Sequence, residues 1–266
     1  MFARLVAIIS IALATLTAPA SRAESNCGSN PDANIPIKGG CLTVDTHIAT
    51  AGAPLVVFIH GDSGLTRRYT EPLQRVRDAG INLIVLARPG FKQRDGRRST
   101  GPDSDTYDNY TPAVIDGIAE ALQQLRTHHK APRLVLFGYS GGAMISGILM
   151  GRHPGIAEAA VLVGWACDTA KWRAWRELSA GKDGIWPNSL SARDYLNRYP
   201  ASARIFAITG AVDDNTKPSF AQECVDMLKA RGVDAGLEII ARAGHGGVLR
   251  SERILAALQE ALKPQP

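Results

Sequence analysis

The chain has 266 residues, of which 45% are hydrophobic and 21% are charged. It is long enough to bury one sizeable core and short enough to form one domain, so the length argues against a second domain. The formal net charge is only +5, and the basic residues are not interleaved with aromatic ones in a nucleic-acid-binding motif. Nucleic acid is therefore not an expected partner.

Residues 1–23 have the pattern of a signal peptide. A short start with one arginine precedes an apolar run over 5–18, and small residues mark cleavage sites after Ala20 or Ala23. The alternative is an uncleaved membrane anchor, but the run is shorter than the roughly 20 residues that a spanning helix needs. We therefore expect a periplasmic or secreted mature protein without stable membrane insertion.

Four cysteines follow this segment, and an even number in an exported chain favours disulfide bonds. Three pairings are open. Cys27 and Cys41 bracket a loop rich in glycine, proline and asparagine, which favours their pairing and leaves Cys167 and Cys224 for a second bond. The alternative for Cys224 is simple burial, since it lies on an apolar helical face. We expect two disulfides, Cys27–Cys41 and Cys167–Cys224.

Strands and helices are predicted to alternate along the chain. Seven segments have the pattern of strands, several of them near-continuous runs of Val, Ile and Leu: 42–48, 54–60, 81–87, 133–137, 159–164, 204–209 and 235–240. Helical apolar spacing is found at 111–128, 142–153, 217–231 and 248–262. Because apolar runs of this kind suit strands buried on both faces, the order predicts an α/β fold with a doubly wound, mostly parallel sheet.

The segment 134–143 is an apolar run that ends in Gly-x-Ser-x-Gly and passes into helix-forming sequence. It predicts a strand, a sharp turn and a helix, with Ser140 at the apex. Gly138 and Gly142 supply the small residues that such a turn requires. The N-terminus of the helix would aim backbone N–H groups at any negative charge that develops beside the serine. The motif therefore predicts a nucleophile.

Two candidate partners for this serine follow it along the chain. They occur in the order Ser, Asp, His, which is the order expected when the serine lies on such a strand-to-helix turn. Asp213 lies in the loop after the 204–209 strand, three residues past a glycine, and is the candidate acid. His245 lies in a glycine-flanked loop after the 235–240 strand and is the candidate base. A single Asp or His has many structural uses. The occurrence of all three residues together predicts a hydrogen-bonded Ser-His-Asp arrangement, in which the histidine and the carboxylate activate the serine hydroxyl.

In these motifs the chain resembles the α/β-hydrolase superfamily from about residue 42 to its C-terminus. Four segments carry the resemblance, and they match the family's oxyanion loop, nucleophile elbow, acid loop and histidine loop: 56–62, 138–142, 210–214 and 244–247. The resemblance implies that residues 24–266 form one α/β-hydrolase domain. It also implies a catalytic triad of Ser140, Asp213 and His245, with Asp214 and Asp168 as rivals for the acid.

The resemblance further implies an oxyanion hole. The backbone N–H groups of Asp62 and Gly141 would point at the carbonyl oxygen of the substrate. His60 precedes this loop in a His-Gly pair, and in the family such a histidine usually braces the loop, so we expect a structural role for it. Basic residues concentrate in the loop after the 81–87 strand, which borders the site in this fold: Arg88, Lys92, Arg94, Arg97 and Arg98. They would either bind an anionic substrate or form a solvated loop.

The segment 168–200 departs from simple alternation and is expected to form a small helical cap over the site. It carries three tryptophans: Trp172, Trp175 and Trp186. We predict substrate contacts for Tyr139, Trp172 and Trp175. The alternative is that the tryptophans attach the insertion to the body of the domain.

The first choice of reaction is hydrolysis of a carboxylic ester, because the short cap and the generic elbow impose no peptide-specific architecture. The alternative is a serine peptidase, since the acid and histidine loops are similar to those of prolyl-oligopeptidase-type enzymes. A non-catalytic binding protein with the same fold is a further alternative. Expected partners are a small-molecule ester or a short peptide, with the oligomeric state open. No cofactor is expected, and no metal either, because the sequence lacks C-x-x-C and H-x-x-x-H spacings.

Overall fold

The computed structural model describes residues 27–28, 30–101, 108–180 and 186–265. The predicted signal peptide lies outside these residues. The described residues form eight strands: β1 (Asn34–Ile37), β2 (Gly40–His47), β3 (Leu55–Ile59), β4 (Asn82–Leu86), β5 (Leu134–Tyr139), β6 (Ala159–Val163), β7 (Arg204–Gly210) and β8 (Asp234–Ile240). The last seven correspond to the seven predicted strands.

The strands form one sheet in the order β1-β2-β4-β3-β5-β6-β7-β8. The first two pairings, β1 with β2 and β2 with β4, are antiparallel, and the others are parallel. The predicted doubly wound, mostly parallel α/β fold is therefore confirmed. Strand β1 was not predicted. It has only four residues and carries Pro36 at the edge of the sheet, a position where proline is tolerated.

The described residues also contain six α-helices, five between strands and the last after β8: α1 (Thr70–Asp78), α2 (Pro112–His128), α3 (Gly141–Arg152), α4 (Thr169–Ala180), α5 (Pro218–Ala230) and α6 (Arg253–Leu262). The prediction of one helix over 248–262 was wrong at its start. That segment is a 3₁₀ turn, Gly247–Arg250, followed by extended backbone at Ser251 and then α6. The hydroxyl of Ser251 accepts a hydrogen bond from the N–H of Arg253, the first residue of α6, at 3.2 Å.

Helices cover both faces of the sheet, and alternate side chains of each strand point to opposite layers. In β3, Leu55, Val57 and Ile59 pack in the core beneath α2, α3 and α5. Val56 and Phe58 point the other way, into the core beneath α1 and α6. This two-sided burial is why the sequence of β3 is apolar without interruption.

The segment 168–200 begins with α4 and ends with a 3₁₀ turn, Ala192–Arg198. The structure contains both expected disulfides, Cys27–Cys41 and Cys167–Cys224. The second joins the start of this segment to α5. Among the residues that the structure describes, no helix has both the length and the apolar character to span a membrane.

Candidate active site

Ser140 occupies a sharp turn between β5 and α3. Its backbone has φ 53° and ψ −119°, a conformation that non-glycine residues rarely adopt and that costs of order 1–3 kcal/mol. Two hydrogen bonds hold the turn: the N–H of Ser140 donates to the carbonyl of Val163 at 2.8 Å, and its carbonyl accepts from the N–H of Ala143 at 2.8 Å. The strained turn presents the hydroxyl at the carboxyl edge of the sheet, as a nucleophile elbow does.

The two glycines of the motif are required by close backbone contacts. A Cβ atom on Gly138 would lie 2.5 Å from the carbonyl oxygen of Gly142. A Cβ atom on Gly142 would lie 1.9 Å from the carbonyl oxygen of Ile59 in β3. Neither gap admits a side chain, so both glycines allow α3 to begin directly against the sheet.

The structure brings Ser140, His245 and Asp213 together from three separate loops. Nε2 of His245 lies 2.9 Å from Oγ of Ser140, and Nδ1 of His245 lies 2.9 Å from Oδ2 of Asp213. The Asp213 side chain is fully buried and that of His245 is 14% exposed. Such a row can move the hydroxyl proton to the imidazole, while the buried carboxylate fixes the ring and stabilises its charged form.

Asp213 is held as a carboxylate by several donors. Its Oδ1 accepts from the N–H groups of Asn215 at 2.9 Å and Thr216 at 2.7 Å, and its Oδ2 accepts from the Thr216 hydroxyl at 2.9 Å. Burial raises the pKa of Asp213, but the hydrogen bond and charge of His245 and these N–H donors outweigh it and keep the pKa below its ordinary value. Asp213 is therefore ionised at neutral pH.

The two rival acids lie elsewhere. Asp214 is exposed to solvent. Asp168 accepts a hydrogen bond from the N–H of Lys171 at 2.9 Å in the first turn of α4, which is a capping contact. Neither of the two carboxylates has a hydrogen bond to His245 in the described part of the chain.

The loop after β3 approaches the serine from the other side. A Cβ atom on Gly61 would lie 3.1 Å from the Cβ of Ser140, and the N–H of Gly61 donates to the hydroxyl of Tyr69 at 3.2 Å. The N–H groups of Asp62 and Gly141 donate to no acceptor within the described ranges. They are the two donors that the resemblance implies for an oxyanion hole, and they are available to a ligand.

His60 is completely buried beneath this loop. Its Nδ1 is hydrogen-bonded to the carbonyl of Gly61 at 2.8 Å, and its Nε2 accepts from the N–H of Arg88 at 3.1 Å. Burial, helped by the charge of Arg88 and opposed by the Gly61 carbonyl, lowers the pKa of His60 to about 3. A neutral ring that links two loops agrees with the structural role that we expected.

A network of Asp62, Arg88 and Tyr110 borders the site, and no sequence motif indicated it. The Asp62 carboxylate accepts from Nη1 of Arg88 at 2.8 Å and from the Tyr110 hydroxyl at 2.8 Å. The Arg88 side chain is 1% exposed, so it is not part of a solvated basic loop. A Cβ atom on Gly141 would lie 2.1 Å from the Asp62 carboxylate, which explains why the residue after Ser140 is a glycine.

The three aromatic residues predicted to contact substrate all have protein neighbours. Tyr139 is buried, and its hydroxyl donates to the carbonyl of His245 at 3.1 Å. Trp172 is buried and donates its indole N–H to the carbonyl of Asn215 at 2.8 Å. Trp175 is half-buried, with its ring 5.6 Å from that of Phe220. The contacts of the two tryptophans attach α4 to the domain, and substrate contact by all three residues stays a prediction.

A comparison with protein-family models decides the family. Residues 52–235 match the model of the family Hydrolase_4, serine aminopeptidase S33. The chain belongs to this family. It is a hydrolase of the α/β-hydrolase superfamily, as the resemblance implied. The matched range of this Hydrolase_4 protein includes Ser140 and Asp213, and His245 follows it.

Curated relatives match part of this Hydrolase_4 protein. A protein described as a non-heme haloperoxidase from Mycobacterium phage D29 is 34% identical over 125 residues, which are 47% of this chain and 38% of that protein. A protein described as a proline iminopeptidase from Streptomyces coelicolor is 29% identical over 153 residues, 58% of this chain and 44% of that protein. The matches therefore span less than half the length of either relative.

Solved structures share the fold at low sequence identity. The esterase Pf2001 of Pyrococcus furiosus superimposes with a TM-score of 0.68 at 16% identity, covering 88% of this chain and 93% of that chain. Est1E of Butyrivibrio proteoclasticus, solved with ferulic acid bound, gives a TM-score of 0.65 at 13% identity, covering 86% and 96%. Pyrococcus horikoshii acylaminoacyl peptidase gives 0.65 at 14% identity, covering 88% of this chain and 42% of that chain.

Proposed function

We propose that this protein hydrolyses a carboxylic ester through an acyl-enzyme on Ser140. The observation that carries the proposal is the hydrogen-bonded row from the Ser140 hydroxyl through His245 to the buried carboxylate of Asp213, with both links at 2.9 Å. His245 accepts the hydroxyl proton as the oxygen of Ser140 attacks the carbonyl carbon. His245 then protonates the leaving alcohol, and a water molecule repeats the cycle on the acyl-enzyme.

The negative charge of the tetrahedral intermediate needs donors on the side of Ser140 away from the histidine. The free N–H groups of Asp62 and Gly141 are our candidates. The carboxylate of Asp62 lies close to this place and would oppose the charge. Its pairing with Arg88 and Tyr110 offsets that repulsion, because the ion pair with the guanidinium compensates the carboxylate locally.

A fluorophosphonate probe tests the nucleophile. We expect the purified protein to be labelled once, at Ser140, and the folded Ser140→Ala variant to remain unlabelled. Absence of labelling in the folded wild-type protein would instead support a non-catalytic binding protein with this fold.

A serine peptidase is the second candidate. It is favoured by the family described as a serine aminopeptidase, by the similarity to a protein described as a proline iminopeptidase and by the fold shared with an acylaminoacyl peptidase. Ester hydrolysis is favoured by the short segment between β6 and β7 and by the fold shared with an esterase. A panel of p-nitrophenyl esters against aminoacyl anilides separates the two, and we expect turnover of the esters only.

We also propose that the protein is exported to the periplasm or beyond. The N-terminal sequence pattern and the two disulfides support this location. N-terminal sequencing of the protein recovered from that compartment should give a chain beginning after Ala20 or Ala23. Recovery of the full-length chain from the cytosol would contradict the proposal.

A further inference from the structure

Three side chains of metal-ligand type meet at the C-terminal end of α2, away from Ser140. Asp32 comes from the turn before β1, His128 is the last residue of α2, and His129 follows it. One ligand atom from each of the three lies within 4.8 Å of the others. The proposed reaction uses none of these residues, so the cluster needs a separate explanation.

The distances within the cluster are those of metal ligands rather than of hydrogen bonds. Nε2 of His128 and Nε2 of His129 lie 3.4 and 3.5 Å from the same oxygen, Oδ1 of Asp32. N–H···O bonds are shorter, usually about 2.7–3.2 Å. Two ligands bound to one tetrahedral zinc ion, each at about 2.0–2.2 Å from the metal, are about 3.4 Å apart. The two separations from the carboxylate oxygen of Asp32 therefore match two edges of a zinc coordination tetrahedron.

His129 adds a second, independent observation. Its side chain is only 9% exposed, yet its Nε2 has no hydrogen-bond partner among the described residues. A buried nitrogen without a partner costs free energy unless something binds it. A metal ion bound at this nitrogen would supply the missing partner.

The other two ligands are open to solvent. The side chains of His128 and Asp32 are 40% and 52% exposed, so an ion can enter and a water molecule can complete its coordination. Two imidazoles and one carboxylate suit zinc and its neighbours among the transition metals, whereas calcium and magnesium prefer sets of about six or more oxygens.

We propose that Asp32, His128 and His129 bind one divalent transition-metal ion, with zinc as the ion that suits their geometry. The ion links the segment before β1 to the end of α2. The turn after β1 also contacts α2, since the carboxylate of Glu120 accepts from the N–H of Lys38 at 2.7 Å. Binding therefore stabilises the packing of the β1–β2 hairpin on α2. No metal was expected from the sequence, because it lacks C-x-x-C and H-x-x-x-H spacings. An adjacent histidine pair and a distant aspartate form neither of these motifs.

Isothermal titration of the chelator-treated protein with zinc chloride tests the proposal. The protein keeps its disulfides, and the metal is the only ligand added. We expect one zinc ion per chain, and we expect Asp32→Asn and His128→Gln each to weaken binding by about tenfold or more. Magnesium chloride should give no binding. Both substituted residues are exposed, so the variants should fold, and circular dichroism checks that they do.

Two further variants make the result specific. His153→Gln is the matched control, because His153 is also a surface histidine paired with a single carboxylate, at 2.8 Å from Asp116, and it should bind zinc like the wild type. His245→Ala removes the other histidine that lies beside a carboxylate and should also leave the stoichiometry unchanged.

Zinc should raise the melting temperature of the wild-type protein and of the His153→Gln variant, but not that of Asp32→Asn. The proposal is overturned if the wild type binds no zinc at about 1 mM, a limit of weak affinity. It is equally overturned if Asp32→Asn and His128→Gln bind like the wild type, or if binding disappears only in His245→Ala.

Discussion

In the proposed reaction, Asp62 would have two opposing effects beside Ser140. Its backbone N–H is free to bind an oxyanion, while its carboxylate brings a negative charge close to the same place. The guanidinium of Arg88 compensates that charge, and the Arg88 side chain is only 1% exposed. Its Cζ atom lies 5.0 Å from the ring centre of Phe91 and 5.6 Å from that of Tyr110. In sequence Arg88 is the first of a run of basic residues, and nothing local indicates that it is buried. Its partner is brought to it by the parallel pairing of two strands, which a single sequence does not display.

Replacing Arg88 with methionine tests this compensation. The Arg88→Met variant keeps an apolar stem in place but leaves the Asp62 carboxylate uncompensated. Hydrogen bonds to charged groups contribute about 1.5–3 kcal/mol, so we expect kcat on a p-nitrophenyl ester to fall by about tenfold or more. The effect should be mainly on kcat, because the oxyanion forms after substrate binding.

The double variant Arg88→Met/Asp62→Asn is the control for this experiment. It removes the carboxylate charge together with its partner, so part of the lost kcat should return. A kcat for Arg88→Met within about twofold of the wild type would contradict the compensation. Equal losses of kcat in the single and double variants would also contradict it. They would indicate that the important contact of Arg88 is its hydrogen bond to the carbonyl of His60, at 3.3 Å.

At the scale of elements, the sequence predicts best where one local pattern is enough. The strand β5 and the start of α3 follow from an apolar run and the two glycines around Ser140. The strand β1 could not be predicted in this way, because its four residues include a proline and are too few to show an alternating pattern. Its pairing with β2 depends on the hairpin that joins the two strands. The break before α6 was missed for a related reason. It depends on the extended backbone of Ser251, whose neighbours keep a helical apolar spacing.

Gly142 tests how closely α3 must approach the sheet. In the Gly142→Ala variant the new Cβ would lie 1.9 Å from the carbonyl oxygen of Ile59, a backbone atom that cannot move aside alone. Overpacking of this kind costs about 3 kcal/mol. We expect urea denaturation to show that loss in the free energy of unfolding, together with a large loss of the proposed esterase activity as the turn at Ser140 shifts.

Gly236→Ala is the matched control in β8. A Cβ atom at this position meets nothing within 4 Å, so the free energy of unfolding should stay the same or rise by about 0.4–1 kcal/mol. If both glycine variants have the stability of the wild type, close packing of α3 on β3 is not required.

At the scale of the whole molecule, the candidate triad could be predicted because each member follows its own strand. The carboxyl ends of parallel strands lie at the same edge of the sheet. The positions of Ser140, Asp213 and His245 just after three such strands were therefore enough to predict that they lie close together. The cluster of Asp32, His128 and His129 has no such rule behind it. It depends on how the segment before β1 lies against the end of α2, and this packing is set by contacts between distant segments.

The two disulfides give a prediction about the stability of the whole domain. Cys27 and Cys41 are 14 residues apart, whereas Cys167 and Cys224 are 57 apart. A crosslink restricts the unfolded chain more when its loop is longer, and the loop-entropy relation gives about 3 kcal/mol for the first bond and about 4 kcal/mol for the second. Cys167 and Cys224 are also buried, at 1% and 0% exposure, so their replacement by alanine adds a cavity cost in the same direction.

We therefore expect the Cys167→Ala/Cys224→Ala variant to lose more free energy of unfolding than the Cys27→Ala/Cys41→Ala variant, measured by guanidinium denaturation without reductant. Adding dithiothreitol to the unfolding reaction is the control, because reduction removes both crosslinks from the wild type and should bring the three proteins closer together. An equal or larger loss in the Cys27→Ala/Cys41→Ala variant would contradict the loop-length argument. It would show that the N-terminal bond stabilises the native packing of the β1–β2 hairpin rather than only restricting the unfolded chain.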